Sequence, residues 1–157
     1  ACVTGTFLFA RQLTIQVIQH SDAWTTVGEQ SLVVEDELMN GFFDYGCIVT
    51  NSVTSVSHSP EEDEELFHVG FGEAFDGLSE LFVQVKLYFE ALNNDPNKSK
   101  NDLSPSRLER ADLVIMNVKS GEKILESSLA GSKKSPGTSE NARIVSKSLI
   151  TAIKKAL

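Results

Sequence analysis

The chain opens on an alternation. Phe7, Phe9, Leu13, Ile15 and Val17 fall on one side, with Gln12, Thr14 and Gln16 on the other. A period of two predicts a half-buried strand. The period then lengthens. Val34, Leu38 and Phe42 recur every four residues, Leu32, Met39 and Phe43 widen the stripe, and Glu35, Asp36, Glu37 and Asn40 make the wet side. That spacing predicts an amphipathic helix. Thr26 and Glu29 have capping-box spacing for its start, and Gly46 suits a left-handed residue just past its end. Residues 47–50 read as a short buried strand, and residues 52–59 as a polar connection.

Ser59-Pro60-Glu61-Glu62 is a strong helix start: an N-cap serine, proline in the first turn and acidic residues behind it. Leu66, Phe67, Phe71, Ala74 and Phe75 form the apolar stripe of this second helix. Gly70 and Gly72 interrupt it at about 1 kcal/mol each relative to alanine, which predicts close packing at both. Gly77 is the expected stop. Leu81, Val83, Val85, Leu87 and Phe89 then alternate with Gln84, Lys86, Tyr88 and Glu90 as the clearest strand. Residues 91–110 are rich in Asn, Asp, Ser, Lys and Pro and predict a flexible loop. Residues 113–118 read as a strand, 119–122 as a tight turn, and 123–129 as its return. A second flexible stretch, 130–138, precedes a last helix capped at Ser139, with Val145, Leu149, Ile153 and Ala156 on its buried face.

The predicted order is β-α-β-α-β-β-β-α. Early β-α-β steps demand right-handed crossovers between parallel strands, and the later strands demand an antiparallel meander. One mixed sheet with helices packed on it, an α+β fold, satisfies both. At 157 residues the chain is the size of one domain spanning 1–157.

Charge adds an asymmetry to this plan. The net charge is −8, which argues against a general nucleic-acid binder. Residues 20–90 hold fifteen acidic groups against the single basic Lys86, whereas residues 91–157 are net basic. Either the two halves meet inside one molecule and in solvent, or acidic and basic faces meet between molecules. No apolar run reaches the ~20 residues of a membrane-spanning helix.

Candidate chemistry is sparse. His20, His58 and His68 have no metal-ligand spacing to another His or Cys. His20-Ser21-Asp22 has the residue types of a hydrolase triad, but neighbours in sequence cannot form one relay, and a strand-end turn explains them better. The acidic run Glu61, Glu62, Asp63, Glu64 and Glu65 lacks the spacing of a calcium loop. It reads as a favourable charge at the positive end of a helix dipole, and as a candidate partner surface. No catalytic residue, metal site or cofactor is expected. Ala1-Cys2 has the form of the tail of a bacterial lipobox, which makes Cys2 a candidate lipidation site. A Cys2–Cys47 disulfide is the alternative.

The segment from Leu32 to Tyr45, with its two apolar turns, acidic-x-Leu step and Gly41-Phe42-Phe43, resembles a helix of bacterial envelope domains. It is similar to the amino-terminal domain of the TolB family and to the CsgG and LpoB families. Ala111-Asp112-Leu113-Val114-Ile115-Met116-Asn117-Val118, the turn, Lys123-Ile124-Leu125, and the closing helix from Ala142 to Leu157 follow in the same order. The resemblance implies a non-enzymatic protein-interaction or assembly domain, periplasmic or outer-membrane-associated, with an envelope protein or a second copy as partner. A cytoplasmic location is the alternative. A small-ligand module, with the Phe-rich second helix as its wall and 91–110 as its lid, is the competing function.

Overall fold

The computed structural model describes residues 10–20, 26–91, 106–131 and 139–157. Its elements are β1 (Gln12–His20), α1 (Glu29–Asp44), β2 (Ile48–Ser57), α2 (Pro60–Asp76), β3 (Leu81–Ala91), β4 (Ser106–Asn117), β5 (Lys123–Ala130) and α3 (Ser139–Lys154). The order is the predicted one. The five strands form one mixed sheet, β2-β1-β3-β4-β5. β1 pairs in parallel with β2 and β3, and β4 runs antiparallel to both β3 and β5.

This order explains where the helices lie. The step from β1 to β2 goes one way across the sheet, and the step from β2 to β3 goes back past β1. Two right-handed crossovers of opposite direction put their helices on opposite faces. α1 packs on one face beside α3, and α2 lies alone on the other against β1, β2 and β3. The α1–α3 side holds the main core. Leu13, Ile15 and Val17 meet Val34, Leu38 and Phe42 there, together with Leu113, Ile115, Leu149 and Ile153. The α2 side holds a small aromatic core of Phe67, Phe71, Ala74, Phe82, Met116 and Val118.

Burial departs from the sequence reading in instructive places. β1 is buried on both faces from Leu13 to Gln19, because α2 covers the side that carries Thr14 and Gln16. These polar groups are satisfied in place. Gln16 donates to the Leu66 carbonyl at 2.7 Å and accepts from Gln84 at 3.0 Å, and Thr14 shares a 2.6 Å hydrogen bond with Ser79. β2 runs on to Ser57, so residues 52–57 are strand and not connection. Their serines and threonines hid it, yet Ser52, Thr54 and Ser57 are buried. Likewise, residues 106–110 of the expected loop belong to β4. A bulge at Glu109 lets Tyr88 face Arg110 and Phe89 face Leu108. Leu108 and Ala111, three apart, therefore both reach the core, and the period of two was broken by that one residue. Ala91 and Ala130 end strands, and 92–105 and 132–138 lie outside the described residues, as do Phe7 and Phe9.

The helix starts and stops also differ. α1 begins at Glu29 with Gly28 as its N-cap and no side-chain cap, so Thr26 does not form the capping box. Gln19 replaces it: its side-chain oxygen accepts from Gly28 N at 2.8 Å and from the Ser31 hydroxyl at 2.7 Å. Ser139 lies inside α3 and donates to Glu29. α1 ends as expected, with Gly46 left-handed at φ 92°. α2 ends one residue out of phase. Gly77 is the C-cap at φ −80°, and Leu78 takes the left-handed position at φ 59°. A side chain there costs roughly 1–2 kcal/mol. Leu78→Gly is therefore expected to raise stability by about 1 kcal/mol, read as a higher urea midpoint at unchanged slope. An unchanged or lower midpoint would refute the strain.

Candidate functional site

The end of the sheet where β1, β2 and β3 begin carries half of the exposed large apolar side chains among the described residues. Arg11 ties this end together. Its backbone oxygen accepts from Ile48 N at 2.8 Å, and its guanidinium reaches Glu80 at 3.0 Å and the Leu157 carbonyl at 3.1 Å. Gln12 donates to the Gly77 carbonyl at 2.8 Å, and Lys154 stands 4.5 Å over the Tyr45 ring. Around this frame Phe43 is 71% exposed, Tyr45 55%, Ile48 52%, Phe75 60% and Leu78 82%. Phe43, Leu32 and Phe75 were expected in buried stripes. They are outward because each helix meets the sheet along a narrower line than its apolar stripe. Exposed apolar groups gathered at one place mark contact surfaces more often than scattered ones do. Sequence periodicity missed this surface, since it cannot tell an apolar residue at a helix end from one over the sheet.

The acidic run is divided by the fold. Glu61, Glu64 and Glu65 are exposed. Glu62 accepts from His58 N at 2.7 Å, and its carboxyl is held below the usual range chiefly by that backbone bond and by the His58 ring. Asp63 lies inward, 3.7 Å from both His20 and Lys86. The His20 ring stacks on Tyr88, its opposite number on β3, at 4.8 Å, and Arg110 stands 4.1 Å over the same Tyr88 ring. Ser21 and Asp22 lie outside the described residues. Part of the acidic and basic content meets within the molecule, as in Arg143–Glu37 at 3.4 Å and Arg11–Glu80.

Two of the aromatic residues of α2 pack on the sheet. Phe67 and Phe71 close on Phe82 with ring centroids 5.5 and 6.0 Å away, edge to face, as core side chains do. Cys47 is buried, with a free thiol pushed above its ordinary range mainly by burial. Cys2 lies outside the described residues. Among the described residues no group of three or more His, Cys, Asp or Glu side chains is placed to hold a metal ion. No described helix is long and apolar enough to cross a membrane.

Fold and surface together define a mixed α+β sheet domain with one apolar end. The model of a protein family described as "Uncharacterised protein" matches residues 12–156, and the chain belongs to that family. No curated protein matches the sequence. Solved structures of similar arrangement include the PelC dodecamer from Paraburkholderia phytofirmans, at 12% identity and a TM-score of 0.47 over 94% of this chain and 86% of that one. A lipoprotein from Neisseria meningitidis aligns at 7% identity and a TM-score of 0.47, over 92% and 99% of the two chains. TolB from Acinetobacter baumannii aligns at 12% identity and a TM-score of 0.42, over 94% of this chain and 28% of that one.

Proposed function

We propose that this chain is a non-catalytic protein-interaction or assembly domain of the bacterial cell envelope, periplasmic or held at the outer membrane through Cys2. The observation that carries the interaction reading is the apolar end formed by Phe43, Tyr45, Ile48, Phe75 and Leu78. Leu78 adds weight. It is the most exposed of these side chains and is held in a left-handed conformation that glycine would adopt without strain. The envelope part rests on the resemblance of residues 32–45 to helices of envelope domains, and on Ala1-Cys2. The exposed acids Glu61, Glu64 and Glu65, with Glu62 and Asp63 beside them, form a second proposed partner surface.

A photo-crosslinking residue placed at Phe75 or Leu78 in cells is expected to trap an envelope protein or a second copy of the chain. The same residue at Glu140, at the start of α3, is expected to trap neither. Fractionation of the same cells is expected to place the chain in the envelope. Recovery in the cytoplasm, or equal crosslinking from Glu140, would overturn the reading.

A further inference from the structure

Both helices that stop at the apolar end of the sheet stop on the wrong charge. The last turn of a helix carries partial negative charge and favours a basic side chain. α3 follows this rule with Lys154. α1 and α2 have no basic residue in their last turns. Asp44 closes α1, and Glu73 and Asp76 stand in the last turn of α2. All three are exposed, and among the described residues no ion pair joins any of them to a basic group. We propose that this end docks a basic, apolar segment of another protein, in which lysine or arginine side chains flank an apolar group.

Charge and apolar groups alternate closely here. Asp44 lies between Phe43 and Tyr45 in the chain, and Asp76 follows Phe75. The Glu73 carbonyl accepts from Gly77 N at 2.9 Å, next to Leu78. Each exposed apolar side chain at the two helix ends therefore has a carboxylate close to it along the chain. On a docking surface the apolar groups supply burial, and the charges beside them select the partner. The chain's own cations do not neutralise these carboxylates. Arg11 is engaged by Glu80 and the Leu157 carbonyl, and Lys154 lies over the Tyr45 ring. Lys155, exposed just past α3, is one charge against three.

The folded chain alone gains nothing from Asp44, Glu73 and Asp76, because each meets a helix end of its own sign. The left-handed Leu78 adds a second cost at the same place. A bound cationic segment reverses the first cost: its positive groups face three carboxylates and two negative helix ends together. An acidic segment is repelled by both, and an uncharged one leaves the carboxylates as they are. Leu78, the most exposed apolar side chain of the group, is the anchor such a segment covers. The run Glu61 to Glu65 differs in kind. It lies at the start of α2, where the dipole already accepts negative charge, and so it provides an acidic control on the same helix.

The proposal rests on the interaction role of this end, and photo-crosslinking separates the two. With the crosslinking residue at Phe75 in cells, the adduct is expected to fall about fivefold to tenfold when Asp44→Asn, Glu73→Gln and Asp76→Asn are combined. It is expected to hold its level when Glu61→Gln, Glu64→Gln and Glu65→Gln are combined. The first variant loses charges that oppose the helix dipoles, so its urea midpoint is expected to stay level or rise. A smaller adduct then does not reflect unfolding. Leu78→Gly is expected to cut the adduct about fivefold, although it is the variant with the relieved backbone. Mass spectrometry of the adduct is expected to show lysine or arginine on both sides of the trapped residue, within about five positions. An undiminished adduct in the first variant, or an equal fall in the second, would overturn the proposal and leave the interaction role standing. So would a trapped segment that is acidic, uncharged or from a second copy of this chain. No adduct from either Phe75 or Leu78 would overturn both.

Discussion

Replacing Gln19 by leucine is expected to lower the unfolding free energy by about 2–4 kcal/mol. Gln19 is fully buried at the end of β1. Its side-chain oxygen accepts from Gly28 N and from the Ser31 hydroxyl, and its amide donates to the Thr26 carbonyl at 3.2 Å. Ser31 is itself fully buried. Leucine has a similar volume, so no large cavity forms. It leaves at least two donors without a partner, each at about 1–3 kcal/mol. It also removes a side-chain acceptor at the start of a helix whose N-cap is a glycine without one. Urea unfolding monitored by circular dichroism measures the loss. A change below about 0.5 kcal/mol, the level of a neutral surface substitution, would show that the β1–α1 connection is held by something else.

The second large effect is a pair of alanine substitutions with opposite signs. At Gly70 a Cβ would stand 2.6 Å from Gln16 Nε2, 2.7 Å from Gln16 Cδ and 2.8 Å from Phe82 Cζ. Neither neighbour yields easily. Gln16 is bonded to the Leu66 carbonyl and to Gln84, and Phe82 is fully buried among Phe67, Phe71 and Ala74. Gly70→Ala is expected to destabilise by about 1–3 kcal/mol, overpacking outweighing the gain in helix propensity. At Gly72 no heavy atom lies within 4 Å of the Cβ position. Gly72→Ala is expected to stabilise by up to about 1 kcal/mol. Thermal melts of the two variants side by side decide the point. A stabilising Gly70→Ala would mean that α2 can lift from the sheet at no cost. The sequence treated these glycines alike, because propensity sees the helix and not what lies beneath it.

The two effects bear on the proposed role of the molecule. α1 and α3 sit on a continuous apolar core, whereas α2 is held by a small aromatic cluster, a close glycine contact and polar bonds. The apolar end, by contrast, is built where α1 and α2 stop and where β2 begins.

By itself the sequence determined the element order, the mixed sheet, the start of α2 at Ser59-Pro60 and the buried stripe Val34-Leu38-Phe42. These follow from local periodicity and capping, which neighbouring residues carry among themselves. Tertiary structure alone decided the rest. The second buried face of β1 exists because α2 crosses to the opposite side of the sheet. The phase of β4 depends on a bulge defined only by pairing with β3. The cap of α1 comes from Gln19 on another element, and the exposure of Phe43, Phe75 and Leu78 depends on where the sheet ends. The encounter of His20, His58 and His68 with Asp63, Glu62 and Glu64 was legible as local spacing for His58 and His68. It needed the β1–α2 packing for His20, since a contact across the fold leaves no mark in a period of two or four.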